Sequence, residues 1–450
     1  MISDKEKNNN IRFKDKRGKL VIAILLLIAV IGVGYAALGA NLKINGVANI
    51  PASTWDVHFK TGSIAVTSGS VTGTNVTTAA TITNATQVDY SVKLALPGDF
   101  YEFTVTAENT GSIDAMIDSV VSKRGETVIT TGTLPSYIDY SVTYADGIEI
   151  QPKHRLSKNT EETYKVRIEF KKDIEASELP QTTETLDLNF QINYVQADDT
   201  AVAKPEPSME NDSWETIISN VKNNTIPSYY TVGSTKTVDL GTLGTHTLRV
   251  ANNSTPAECA TEGFSQTACG FVLEFADIIT NHQMNPYANY GNSNGDGNKG
   301  GWEYSEMRTY VNNDIYNALP SALKSAIIET TVVSGHGSKD TTNFTTTDKL
   351  YLLSTHEVWE DVDGKTSSGI DYYDTAYNNT RQLDYYKSQN VTTSSFGRAI
   401  KQNNGSNDYW WLRSAPSNYG SNFDDVHWNG DWTNNNSNRN YGVAPAFRIS

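Results

Sequence analysis

Cysteine is nearly absent. Cys259 and Cys269 are the only two in a chain of 450 residues, which excludes a small scaffold stapled by many disulfides. Basic residues are also short: 36 Lys and Arg stand against 51 Asp and Glu, a formal net charge of −15. No basic field is available to displace counterions from phosphates, so nucleic acid is excluded as a partner. Charged residues of both signs reach only 19%, and Asn, Thr, Ser, Gly and Tyr fill the gap. That composition suits β-rich, loop-rich exported modules and argues against a disordered acidic tail. Catalytic constellations are missing as well. His282, His336 and His356 are separated and lack a partnered Ser or Cys. There is no HExxH and no Gly-rich phosphate loop after a strand, and no carboxylate pair stands at a spacing that suits glycoside hydrolysis. The expectation is a protein without enzymatic activity and without a cofactor.

Long hydrophobic runs are lacking with one exception. Residues 20–38 (LVIAILLLIAVIGVGYAAL) carry no charge and follow Lys5, Lys7, Arg12, Lys14, Lys16, Arg17 and Lys19. This is the positive-inside pattern, at a length that spans a bilayer. Gly34 and Ala36 occupy −3 and −1 of a cut after Ala36. A cleaved signal peptide and a retained membrane anchor both fit, and both place the remainder at the outer membrane face, at the cell surface or in the medium. The remainder carries 29 basic and 48 acidic residues, which keeps it soluble.

Residues 1–40 are therefore read as the basic region plus signal peptide or anchor, and 41–196 as an antiparallel β-sandwich stalk. In the second segment residues 99–107, 163–170 and 186–192 alternate apolar and polar between Gly, Pro and Asn breaks, as half-buried strands do. His58 and His154 stand alone there and are read as solvated or hydrogen-bonded. Residues 197–212 (ADDTAVAKPEPSMEND) lose all periodicity and read as a solvated, fairly stiff linker.

Residues 213–450 form an α+β domain, because helical and strand patterns mix without a βαβ rhythm. The pattern predicts a helix over 213–222, a hairpin over 235–250 and a strand over 270–275. It predicts two helices over 304–328 broken at Pro320, a buried strand over 349–354, a helix over 381–387 and a strand over 409–413. Cys259 and Cys269, ten apart in an exported chain, predict a disulfide. Asn292, Asn294, Asp296 and Glu303 nearly fit a calcium loop, but Lys299 stands where an apolar residue pins such loops. An Asn/Gly-rich surface loop is the competing reading. Asp361, Asp363 and Gly364 read as a turn.

The C-terminal stretch is the most informative. Tyr409–Ala415 (YWWLRSA) and Gly442–Ile449 (GVAPAFRI) are apolar anchors. Between them Asn, Ser, Asp, Gly and Tyr are interspersed with Phe423, Trp428 and Trp432. Aromatic rings supply rigid contact area, and Ser, Gly and Asn supply adaptable hydrogen bonds, as in antibody paratopes; composition alone fits an ordinary Asn-rich turn region equally well.

Three resemblances accompany these readings. GVGYAALGANLKINGVANI resembles the signal region of Gram-positive exported proteins processed by the signal peptidase of biofilm-matrix proteins, which implies cleavage near Ala36–Ala37. LPGDFYEFTVTAENTGSIDA resembles sandwich modules of bacterial matrix fibres and stalks, which implies a spacer or assembly role. WWLRSA and GVAPAFRI, with TACGFVLEFADIIT, KLYLLSTHEVW and TRQLDYY upstream, resemble a gut-bacterial family of C-type-lectin-like domains. That family is similar to the formylglycine-generating-enzyme fold, and some members are variable proteins of diversity-generating retroelements. Gly430 and Trp432 fit its fixed positions, whereas the catalytic cysteines of the formylglycine enzyme are not matched. The resemblance implies ligand contacts at Asn418, Tyr419, Asn422, Phe423, Asp424, His427, Trp428, Asn429, Asp431, Asn434, Asn436, Asn438 and Asn440. It places Trp410, Trp411, Leu412, Val443 and Phe447 in the core. The expected ligand is an extracellular protein or glycan. The alternative role is a structural subunit of a biofilm matrix or fibre, and an enzyme acting on cell-wall or glycan substrates ranks third.

Overall fold

A computed structural model describes residues 52–450 except 130–133, 173, 175, 181–185, 287–296, 339, 362–373 and 419. The apolar run at 20–38 lies outside the described residues. Among the described residues no helix is long and apolar enough to cross a membrane.

The chain is mostly β-sheet, arranged in several sheets. The first eleven strands build two sheets over one shared core, consistent with a β-sandwich. One sheet holds β1 (Val57–Phe59), β2 (Ala65–Val66), β5 (Phe100–Asn109), β8 (Ile138–Tyr144) and β10 (Thr160–Phe170). The other holds β3 (Val76–Asn84), β4 (Gln87–Val92), β6 (Ala115–Arg124), β7 (Thr127–Val128), β9 (Arg155–Leu156) and β11 (Leu186–Gln196). The period-two pattern explains the register. Tyr101, Phe103 and Val105 point inward from β5 and pair with Ile168, Val166 and Tyr164 of β10. Phe190 of β11 meets Phe59 edge-on at 5.7 Å between ring centroids, a favoured aromatic arrangement. The two histidines are satisfied by hydrogen bonds. His58 Nδ1 lies 2.9 Å from Asp56, and His154 Nδ1 lies 3.0 Å from the Tyr144 hydroxyl.

Residues 197–212 are not a free spacer. Val202 bridges His154, and the Glu149 N–H donates to Asn211 O at 2.9 Å. Met209 and Asp212 are buried. Asp212 accepts hydrogen bonds from Tyr230 at 2.5 Å and Tyr229 at 3.1 Å. The Lys236 ammonium donates to the carbonyls of Glu210 and Asp212. Lack of periodicity marked the absence of a strand or helix, and the segment is instead held by single side chains. Residues 53–450 accordingly form one compact unit.

The C-terminal part opens with α1 (Trp214–Lys222), capped by the Ser213 side chain. Its first sheet runs β12 (Thr235–Asp239), β13 (Thr245–Asn252), β14 (Val272–Phe275), then β24 (Ala446–Arg448). Its second runs β15 (Thr280–His282), β23 (Tyr441–Val443), β20 (Trp410–Trp411), β21 (Asn422–Val426), β22 (Trp432–Asn436). Two hairpins flank them: β16 (Thr330–Gly335) with β17 (Asn343–Asp348), and β18 (Lys401–Asn403) with β19 (Ser406–Asp408). The expected break at Pro320 separates α2 (Glu306–Tyr310), a π-helical turn and α3 (Tyr316–Ala318) from α4 (Ser321–Ala326).

Two expectations change. Leu350, Leu352 and Leu353 are fully buried, but among the described residues the segment forms only an isolated bridge, Tyr351 with Ala446, and is otherwise held by Asn312 and Arg413 and not by a ladder. The helix expected over 381–387 is confined to Asp384–Ser388 (α6, after α5 at Thr355–Val358). Arg381 serves instead as a clamp, donating to Asn252, Ala268 O and Asp384.

Candidate functional site

The site is the β21–β22 hairpin with its flanks. Trp410, Trp411, Leu412, Val443 and Phe447 are fully buried on either side of it, so both of its roots are fixed in the core. The turn is equally constrained. Gly430 has φ 94°, and a Cβ there would lie 2.2 Å from Phe396 O. Only glycine fits such a position. Asn429 Oδ1 closes the turn by accepting from the Asp431 N–H at 3.0 Å and contacting His427 Nδ1 at 2.7 Å.

An amide ladder crosses the hairpin. Asn422 Nδ2 donates to Asn434 Oδ1 at 2.6 Å, and the Ser421 hydroxyl donates to Asn436 at 3.2 Å. Cross-strand pairing of Asn422 with Asn436 and Asp424 with Asn434 sets these on one face, since alternate residues share a face. At the tip Trp428 is 49% exposed. A run of ring contacts reaches it from the core. Trp411 meets Tyr441 at 5.0 Å, Tyr441 stacks on Tyr409 at 4.8 Å, Tyr409 meets His427 at 4.7 Å, and His427 meets Trp428 at 5.1 Å.

The structure therefore brings together most of the residues expected to contact ligand. Trp428, Asn438 and Asn440 are exposed, while Asn418, Asn422, His427, Asn429, Asp431, Asn434 and Asn436 are half-buried. Two members are corrected: Phe423 and Asp424 are fully buried, because β21 is an inner strand covered on both faces. They cannot touch a ligand at the surface. Tyr419 lies outside the described residues.

Sequence reasoning missed the carboxylates beneath the hairpin. Asp424, Asp425 and Asp374 are all buried; among the described residues none makes an ion pair, and the charge of Asp374 interacts with that of Arg413. Burial pushes Asp425 up to about 8, against the hydrogen bond it accepts from Asn435 at 2.9 Å. Burial, then the charges of Asp374 and Asp425, hold Asp424 well above the usual carboxylate range. The available signal was Phe423-Asp424-Asp425-Val426, a strand with carboxylates between apolar residues and no period-two alternation.

Other expected sites are simpler. Cys259 and Cys269 form the disulfide. Asn292, Asn294 and Asp296 lie outside the described residues, and Glu303 is half-buried with its carbonyl accepting from Arg308. Asp361 accepts from the distant Thr393, and Asp363 and Gly364 of the expected turn lie outside the described residues.

No curated protein matches the chain significantly. Residues 276–450, which hold the hairpin and both of its anchors, match the model of a family described as a domain of unknown function, DUF6273.

Proposed function

We propose that this chain is an exported binding protein, in which a β-sandwich stalk carries a C-type-lectin-like head and the β21–β22 hairpin meets an extracellular protein or glycan. One observation carries this reading. An amide ladder and an exposed Trp428 sit on a hairpin whose roots are buried. Groups that adapt their hydrogen bonds on a rigid support are what recognition requires. The role is binding and not turnover. The Cys259–Cys269 disulfide is compatible with an oxidising, extracellular setting. The test is capture by the full chain on a glycan array and on intact bacterial cells. Substituting Trp428, Asn438 and Asn440 together by Ala is expected to remove capture while the melting temperature stays within about 2 °C, as surface changes do. Unchanged capture by that variant sinks the proposal.

A second reading, the fibre subunit, draws on β3. This nine-residue edge strand (VTTAATITN) is largely exposed. It carries neither the charges nor the proline that blunt sheet edges. Electron micrographs of concentrated protein showing monomers alone would count against this second role.

A further inference from the structure

A histidine is buried in the sandwich where the 197–212 segment is fastened to it. His154 is 5% exposed and Tyr144 2%. Their rings stack at 5.7 Å between centroids, and the Tyr144 hydroxyl shares a hydrogen bond of 3.0 Å with His154 Nδ1. Tyr164 stacks on Tyr144 at 5.3 Å, and its hydroxyl is bonded to that of Tyr194. A titratable ring in such a stack tolerates a charge poorly, because burial disfavours the charged form.

The same histidine holds the segment as a strap. His154 bridges Val202 through the main chain. The Val202 N–H donates to Lys153 O at 2.9 Å, and the Arg155 N–H donates to Val202 O at 2.8 Å. Two residues further on, the Lys204 ammonium lies 4.7 Å from the centre of the Tyr144 ring, a cation–π distance. Asp146 holds it at 2.7 Å and Glu162 at 3.1 Å. Tyr144 is thus shared between His154 and the cation of the strap.

The ionisable groups around the stack come from every neighbouring element. They are Tyr144 on β8, Tyr164 and Glu162 on β10, Tyr194 on β11, Asp146 in the turn after β8 and Lys204 on the strap. Lys153 and Arg155 flank His154 on its own segment. Asp146 and Glu162 are engaged by Lys204, and among the described residues no carboxylate forms an ion pair with His154. Burial, then the charge of Lys204, holds the imidazole below its ordinary 6.5. A proton there adds a second cation beside the first, with no carboxylate of its own.

We propose that the strap is an acid-released latch, in which protonation of His154 expels Lys204 and unfastens residues 197–206 from the stalk. With the strap closed the ring is neutral, and with the strap open it reaches water and takes a proton as an ordinary histidine does. The latch is therefore fully closed above about pH 6.5 and loosens as pH falls below it, because the open form binds the extra proton. Met209 and Asp212 stay buried, so acid frees the stalk end of the strap and leaves its head end in place.

The test uses the full chain and reads amide hydrogen exchange, so it stands or falls separately from ligand capture. Protection of the Val202 and Arg155 amides, corrected for intrinsic rate, is compared at about pH 7.5 and about pH 5, on either side of the ordinary histidine value. It is expected to fall below pH 6.5 by up to about tenfold per unit, the limit for one proton, while the β5–β10 ladder keeps its protection. His154→Gln, which leaves Tyr144 a hydrogen-bonding partner and takes no proton, is expected to hold the strap equally at both values. In the wild type the imidazole, followed by NMR, is expected to titrate below 6.5 together with the opening. Strap protection indifferent to pH overturns the proposal. So does acid release that persists in His154→Gln, which would belong to Asp146 and Glu162. Should that variant not fold, an imidazole that charges while the strap amides stay protected overturns it alone.

Discussion

Individual buried charges decide much of this head's stability. Arg413 and Glu357 share two hydrogen bonds at 2.5 and 2.8 Å, and the Ser354 N–H adds a third to the carboxylate. Removing one member of a buried pair leaves the other uncompensated, so Arg413→Met is expected to cost about 3–5 kcal/mol in urea unfolding. Asp425 works the other way. It has a folded pKa of about 8 against an ordinary 3.8, so between those values the folded state holds a proton that the unfolded state has lost. Its contribution is complete below about pH 4 and is lost as pH rises through about 8. Asp425→Asn is expected to flatten that decline. At pH 8 it should raise the melting temperature by at least about 2–4 °C, the shift produced by 1 kcal/mol in a domain of 150–250 residues. A pH-melting series on both proteins checks it. None of this was legible beforehand. A carboxylate in a sequence reads as solvent-facing unless its strand is known to be an inner one.

Elements were easier to foresee where their period was regular. The pattern over 99–107 and 163–170 translated directly into β5 and β10, since alternation is a local property of the chain. The buried run at 350–353 misled because a fully apolar stretch has no period, and only its neighbours decide whether it forms a ladder. The place of the site was legible from the two apolar anchors, but the hairpin between them and its split into displayed and covered residues were not. That division depends on β22 being the sheet edge and β21 an inner strand. Gly430→Ala places a methyl group where Phe396 O already lies and forces a left-handed conformation on alanine. The turn is expected to lose about 1–3 kcal/mol, seen as faster proteolytic nicking of residues 427–431 with the sandwich intact.

Across the whole molecule, the Cys259–Cys269 bond tightens the loop just before β14, the strand that pairs with both β13 and β24. Replacing both cysteines by alanine is expected to cost about 2–3 kcal/mol on the chain-entropy account, measured by urea unfolding. The boundary between stalk and head was read from composition, and composition cannot report attachment. The junction is made by contacts. Thr216 donates to Gly147 O at 2.9 Å, and Gly147, at φ 93°, lies where a Cβ would stand 2.5 Å from the Thr216 methyl group. Gly147→Val is expected to loosen that contact, so that one calorimetric transition becomes two.

The fastened 197–212 segment gives the chain a mechanical property. Were the chain anchored and loaded as the proposed function has it, the hydrogen bonds that fasten this segment, those at Val202 and Asn211 among them, are expected to break before either core does. Stripping the segment releases up to roughly 50 Å of extended chain, at 3.3–3.6 Å per residue. The stalk would then lengthen without unfolding and soften a sudden pull. A small early step in a force–extension trace, reversible on relaxation, is its signature.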